Sequence, residues 1–285
     1  MQSEWLTIRR GAAPLLLSMP HSGIDLRGLE ARFVSPWLAR RDADWWIDLL
    51  YDFATALDAT IVHTSVSRSV IDVNRDPSGR SLYPGRATTE LCPGTTFDGE
   101  PLYRDNASVT PAEIEERRLQ YFDPYHAALR SEIERLRQRH STIVLYDCHS
   151  IRSRIPRLFE GELPQFNIGT NDGQSCAPAL SEAVLAACAS SGLSHVLNGR
   201  FKGGYITRFH GRPAEGVHAV QMELACRGYL DEPVGPVSPE NWPPPFDPDL
   251  SKPLRTVLQT VLGRCIEFAL KPAHGQAGMS HAQNR

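Results

Sequence analysis

The stretch from Ala13 to Met19, with Leu15-Leu16-Leu17 at its centre and Gly11 and Pro20 at its bounds, is the feature that most constrains this chain. It is too short for a helix and lacks polar alternation, so it predicts a strand buried on both faces. Thr142-Ile143-Val144-Leu145-Tyr146 repeats the pattern. Strands of that kind need a layer of helices on each side, which directs the reading to α/β architecture.

Further strands are expected over Thr60–Thr64, Ser69–Val73 and Val217–Leu224. Trp45, Trp46, Leu49, Leu50, Phe53 and Leu57 recur at helical spacing after Asp42 and Asp44, predicting an amphipathic helix from Asp44 onward. A second helical stretch runs from Pro111 toward His140, where Pro124 removes a backbone donor and should kink or split it. Helices are also expected over Ala177–Ser190 and Leu254–Leu270, giving a mostly parallel mixed sheet flanked by helices. Asp76 to Gly99 reads as a long loop, and Pro233 to Pro253, with eight prolines in 21 residues, as an irregular covering segment. One domain is expected over residues 1–270. The tail from 271 to 285 contains no Leu, Ile, Val or aromatic residue and is expected to be disordered.

Composition narrows the function classes. A net charge of −3 offers no basic face to nucleic acid, and no apolar run is long enough to span a bilayer. Met1-Gln2-Ser3-Glu4-Trp5 lacks the basic start and apolar stretch of a secretory signal, so a cytoplasmic location is expected. Six scattered cysteines without a Cys-x-x-Cys pair are expected to be reduced. The partner expected is a small anionic molecule, bound by a monomer or small homo-oligomer.

Both apolar runs lead into a His-Ser pair, His21-Ser22 and His149-Ser150. In a parallel sheet both histidines would emerge at the C-terminal edge, where open α/β folds bind ligands, and imidazole is the commonest zinc ligand. A catalytic zinc needs a third protein ligand; Asp44 and Asp42 are the local candidates, and both also suit helix capping. Asp147 is placed to hold an imidazole N–H from outside the ligand set. Alternation along Val217–Leu224 puts Gln221 and Glu223 on one face, where Glu223 is either a general base or a salt-bridge partner for Arg227; His218 falls on the other face. Arg75 sits where a fork of donors can bind a carboxylate, flanked by Arg68 and Arg86. Gly203-Gly204 opens a segment containing Arg208 and Arg212. Asn74, Arg68, Arg86, Arg208, Arg212 and Gly204 form the expected substrate-binding set, and several arginines around one site suit a small dianion.

Taken in order, Pro20-His21-Ser22-Gly23, Asp42-Ala43-Asp44-Trp45, Val73-Asn74-Arg75-Asp76-Pro77, Asp147-Cys148-His149-Ser150 and Gln221-Met222-Glu223 with Arg227-Gly228-Tyr229 resemble the N-formylglutamate amidohydrolases. The resemblance runs from about residue 5 to 270. It implies a zinc-peptidase-like (phosphorylase/hydrolase-like) three-layer α/β/α fold and hydrolysis of N-formyl-L-glutamate to formate and L-glutamate at the end of histidine degradation. It also implies His21, Asp44 and His149 as ligands of zinc or another divalent transition metal and Glu223 as the base; in the reaction written on those residues, Arg75 is expected to help hold the oxyanion. The residue three past His21 is Ile24, so the short His-x-x-Glu ligand pair of carboxypeptidases is absent and the carboxylate ligand must come from farther along. The alternatives are an amidohydrolase of this fold acting on another N-acyl amino acid, or a non-catalytic ligand-binding relative. A serine hydrolase is disfavoured because no Gly-x-Ser-x-Gly elbow occurs.

Overall fold

The computed structural model describes residues 4–271. The expected tail beyond Lys271 lies outside the described residues. The strands are β1 (Leu6–Arg9), β2 (Leu15–Met19), β3 (Thr60–Thr64), β4 (Ile143–Ile151), β5 (Phe166–Gly169), β6 (His195–Leu197) and β7 (Val217–Ala225). They form one sheet in the order β1-β3-β2-β4-β7-β5-β6. The pairs β2–β3, β2–β4, β4–β7 and β5–β6 are parallel, whereas β1–β3 and β5–β7 are antiparallel. The sheet is mixed and mostly parallel, as expected.

The helices are α1 (Pro36–Arg40), α2 (Ile47–Leu50), α3 (Pro111–Arg117), α4 (Asp123–Arg137), α5 (Pro178–Ala189), α6 (Tyr205–His210) and α7 (Pro248–Leu270). Leu15, Leu17, Val144, Tyr146 and Met222 face one core with Leu180 and Val184 of α5 and Leu258 and Leu262 of α7. Leu16, Val62, Leu145 and Ala219 face the opposite core with Leu129 and Leu136 of α4 and Ile206 of α6. Alternation of side chains along the strands thus feeds two helical layers.

Four expectations are corrected. The helix predicted from Asp44 is only the single turn α2 followed by a 3-10 turn at Asp52–Thr55, because Trp46 adopts φ +60° and breaks the helical path. Its periodic residues Trp45, Leu50 and Phe53 are buried in one cluster, so the spacing reported a buried face rather than a helix length. Ser69–Val73 is not a strand: the Val70 amide bonds back to Ser67 and the Asp72 amide to Leu91, while Val70, Ile71 and Val73 are buried in the turn. The proline-rich covering segment ends earlier than expected, since α7 begins at Pro248 and contains Pro253. Fourth, β4 continues past Tyr146 through His149 to Ile151. The split expected at Pro124 is real: a π turn over Arg118–Phe122 joins α3 to α4. The six cysteines are free and buried, and among the described residues no helix is long and apolar enough to cross a membrane.

Between the α4 layer and the sheet, His126 donates from Nε2 to the Val73 carbonyl (2.8 Å), and its Nδ1 lies 3.0 Å from His210 Nε2. Burial lowers the His126 pKa to about 4 and that of His210 to about 2, the neighbouring imidazole adding to the second shift. A depressed folded-state pKa leaves stability complete above the ordinary histidine value of ~6.5 and erodes it as pH falls toward 4. The melting temperature is therefore expected to drop between pH 6.5 and 4, with a slope shallower by about one proton in His126→Asn. Identical slopes in wild type and variant would show that the pair is not linked to folding.

Candidate active site

His21 follows β2 directly, and His149 lies within β4, the neighbouring strand. The chain turns from β2 to β3 on one side and continues from β4 to β7 on the other, so both histidines stand at the reversal of strand order where open α/β sheets bind ligands. Parallel register sets His149 beside Glu223 of β7 and Asp147 beside Gln221. These polar residues end the apolar run, yet the strand continues because each faces the α4 side, where the sheet extends beyond the apolar core.

His21, Asp44 and His149 are buried and offer ligand atoms all within 4.8 Å of one another. Asp44 Oδ2 lies 3.0 Å from His149 Nδ1 and 3.6 Å from His21 Nδ1. On the far side of each ring, His21 Nε2 is 2.7 Å from Asp72 Oδ1 and His149 Nε2 is 3.0 Å from Asp147 Oδ2. His21 Nε2 donates to Asp72, and His21 Nδ1 has no hydrogen-bond partner; His149 Nδ1 is within hydrogen-bond distance of Asp44, and its Nε2 meets both Asp147 and the Asn74 amide (2.9 Å). Such a cluster is satisfied by a cation among Asp44 and the two Nδ1 atoms, or by a proton shared between His149 and Asp44. Two imidazoles and one carboxylate with outer carboxylates fixing the tautomers are a donor set suited to zinc or a similar divalent metal.

Burial opposes ionising Asp44, but His21 and His149 hold its pKa well below the usual value. Burial likewise opposes charging His149, and Asp147 and Asp44 outweigh it, raising the pKa well above normal. Asp72 is held well below normal against its burial, chiefly by Arg75, with His21 and Arg68 adding to the effect. Asp42 is engaged elsewhere: it accepts from the Phe97 amide (2.6 Å) and Arg152 (3.2 Å). Asp44, and not Asp42, therefore stands with the two histidines, and neither caps α2.

A cavity with about 590 Å³ of open space adjoins the pair of histidines. Of the expected substrate-binding residues, Arg68, Asn74, Arg75 and Gly204 line it; Arg86, Arg208 and Arg212 do not. Arg208 donates to the Gly203 carbonyl, and Arg212 reaches toward Glu215. Arg208 lies 5.2 Å over the Tyr83 ring, which lines the cavity, so α6 leaves it at the cavity's border. Arg75 follows a turn rather than the expected strand and donates to Thr89 O (3.1 Å) and Oγ1 (3.0 Å). Arg68 pairs with Asp72 (2.7 Å) and lies 4.7 Å over the Phe97 ring. Asn74 donates to Asp147 (3.2 Å) and accepts from the Ile206 amide (2.8 Å), tying the second histidine's support to α6. Gly204 is required there, because a Cβ would strike the Asn74 side chain.

Glu223 opens on the cavity without a salt bridge among the described residues; its one contact is Gln221 Nε2 at 3.4 Å. Arg227, its alternative partner, pairs with Glu162 instead. Burial raises the Glu223 pKa to about 8, against the opposing pull of His149. His218 packs on Phe268 and accepts from the Ala177 amide, a structural role. Two contributors escaped the sequence reading: Asp72, hidden in a supposed strand, and Arg200, in a segment without a motif.

The family model for N-formylglutamate amidohydrolase matches residues 13–230. The chain belongs to the N-formylglutamate amidohydrolase family. It is 45% identical over 259 residues to the N-formylglutamate deformylase of Pseudomonas putida, covering 90% of this chain and 94% of the relative. The corresponding figures for the enzyme of that name from Pseudomonas aeruginosa are 44% over 261 residues, 91% and 95%. Among solved structures, the N-formylglutamate amidohydrolase of Ralstonia eutropha JMP134 superposes with a TM-score of 0.76 at 25% identity, covering 94% of this chain and 98% of that one. A gene product of Agrobacterium tumefaciens shares the fold, with a TM-score of 0.67 at 16% identity over 94% and 96% of the two chains.

Equilibrium dialysis with zinc is expected to find one tight site that Asp44→Asn or His149→Ala weakens by more than ~100-fold, Asp72→Asn by ~10–100-fold, and Asp42→Asn leaves intact. Equal loss in Asp42→Asn and Asp44→Asn would break the ligand assignment.

Proposed function

We propose that the protein hydrolyses the formyl amide of N-formyl-L-glutamate to formate and L-glutamate, as a zinc-dependent cytoplasmic step of histidine degradation. The substrate follows the names of the two Pseudomonas relatives. The observation that carries the chemistry is Glu223, a buried carboxylate that forms no salt bridge among the described residues and pairs in register with His149, whose Nδ1 lies 3.0 Å from Asp44.

A divalent metal held by His21, Asp44 and His149 would supply Lewis acidity and lower the pKa of water toward neutrality. Asp72 and Asp147 keep the Nε2 protons in place and so keep both Nδ1 atoms available as donors of electron pairs. Glu223 takes the proton of the attacking water and returns it to the leaving nitrogen. Its raised proton affinity suits that exchange, because a strongly acidic carboxyl would not hold the proton between the two steps. Arg75, held by Thr89, offers positive charge to the developing oxyanion, and Arg68 adds to the field that attracts an anionic substrate.

Formate release from N-formyl-L-glutamate is expected to stop with a chelator and return with zinc. Absence of release from protein of confirmed metal content would sink the reading. Glu223→Gln is expected to keep metal and lose ~10²–10⁴-fold in kcat, measured by formate release with metal content checked in parallel. Wild-type turnover in that variant would remove Glu223 as the base.

A further inference from the structure

Arg200 follows the edge strand β6, yet its side chain lines the same cavity as the histidines. Its guanidinium is fixed by two backbone carbonyls, Leu158 to Nε (2.8 Å) and Ala87 to Nη2 (2.9 Å), and among the described residues no hydrogen bond engages Nη1. It rests between aromatic faces, 5.4 Å from the Tyr83 ring centre and 5.2 Å from that of Phe201. Arg68 and Arg75 both pair with Asp72, whereas Arg200 forms no salt bridge among the described residues. Burial lowers its pKa below the usual arginine value, and the charges of Arg86 and Arg75 push the same way. A half-buried, immobilised cation with an unused donor and no acid lacks only an anion.

We propose that Arg200 is the specificity-determining residue that takes the side-chain carboxylate of the substrate, selecting an acyl amino acid with a second acidic group. The argument is one of position. Arg68 and Arg75 are both engaged by Asp72, so of the arginines lining the cavity Arg200 is the one left, among the described residues, without an acid to meet a second carboxylate of the substrate. Its planar fork, stacked on aromatic rings, suits a carboxylate better than a point charge would. The identity of the dianion rests on the deformylase reading; the role of Arg200 as its receptor does not.

The test compares kcat/KM for N-formyl-L-glutamate and its neutral isostere N-formyl-L-glutamine in wild type, Arg200→Gln and Arg200→Lys, with melting temperatures confirming that each variant folds. Wild type is expected to prefer the acid, and Arg200→Gln to reduce that preference on the order of 100-fold, with Arg200→Lys between them. An unchanged preference overturns the proposal, even where both rates fall together, since that pattern marks a structural role or contact with the α-carboxylate common to both substrates. If wild type releases no formate from either compound, the deformylase reading fails separately. Calorimetric binding of glutarate then decides the Arg200 assignment: binding by wild type and loss in folded Arg200→Gln supports it, and no binding or equal binding overturns it.

Discussion

His21 and His149 turn their Nδ1 atoms toward the Asp44 carboxylate, while Asp72 and Asp147 face the opposite edges of the rings. Four buried carboxylates, Asp44, Asp72, Asp147 and Glu223, share this volume. Their repulsion in a region of low dielectric is large, and the charge of Arg68 and Arg75 balances only part of it. The arrangement stores a demand for positive charge at the point where the two Nδ1 atoms meet. Much of the surrounding fold makes that concentration tolerable: Asp72 meets Arg68, Arg75 and His21, and Asp147 meets Asn74 and His149.

That requirement explains features that look irregular in isolation. β4 and β7 run on past the apolar core because their polar ends face one cavity and stay in register, nine residues against nine. The segment around Val70 gives up strand pairing and turns sharply, bringing Asp72 under His21 and Asn74 under His149. Gly204 allows α6 to begin against Asn74, so the helix amide at Ile206 fixes a side chain that supports the second histidine. Positioning travels through these contacts from helix to ring without any member touching the reacting bond.

The cavity divides its cations by whether an acid already meets them. Arg68 and Arg75 are tied to Asp72 and shape the field at the histidine end. Arg200 is held by carbonyls and aromatic faces, contacts that orient a guanidinium without neutralising it. Glu223 is the acidic counterpart, a carboxylate that burial keeps ready to bind a proton.

The sequence by itself determined the α/β class, because unbroken apolar runs such as Leu15–Leu17 can only be satisfied by covering both faces of a sheet. It also marked His21, His149 and Glu223, since a polar residue at the end of such a run, or alternating along a strand, conflicts with simple core packing. Local pattern could not choose between Asp42 and Asp44, both equally good caps; only folding brought one to the histidines and the other to Arg152 and the Phe97 amide. Nor could it place the helix after Asp44, where apolar spacing reports burial and the left-handed Trp46 delays the helix start to Ile47. Asp72 and Arg200 had no local mark at all. Asp72 meets nearby Arg68 and Arg75 but serves the site through His21, 51 residues away, and the carbonyls that hold Arg200 lie 42 and 113 residues away, so these roles exist only once the tertiary structure has assembled them.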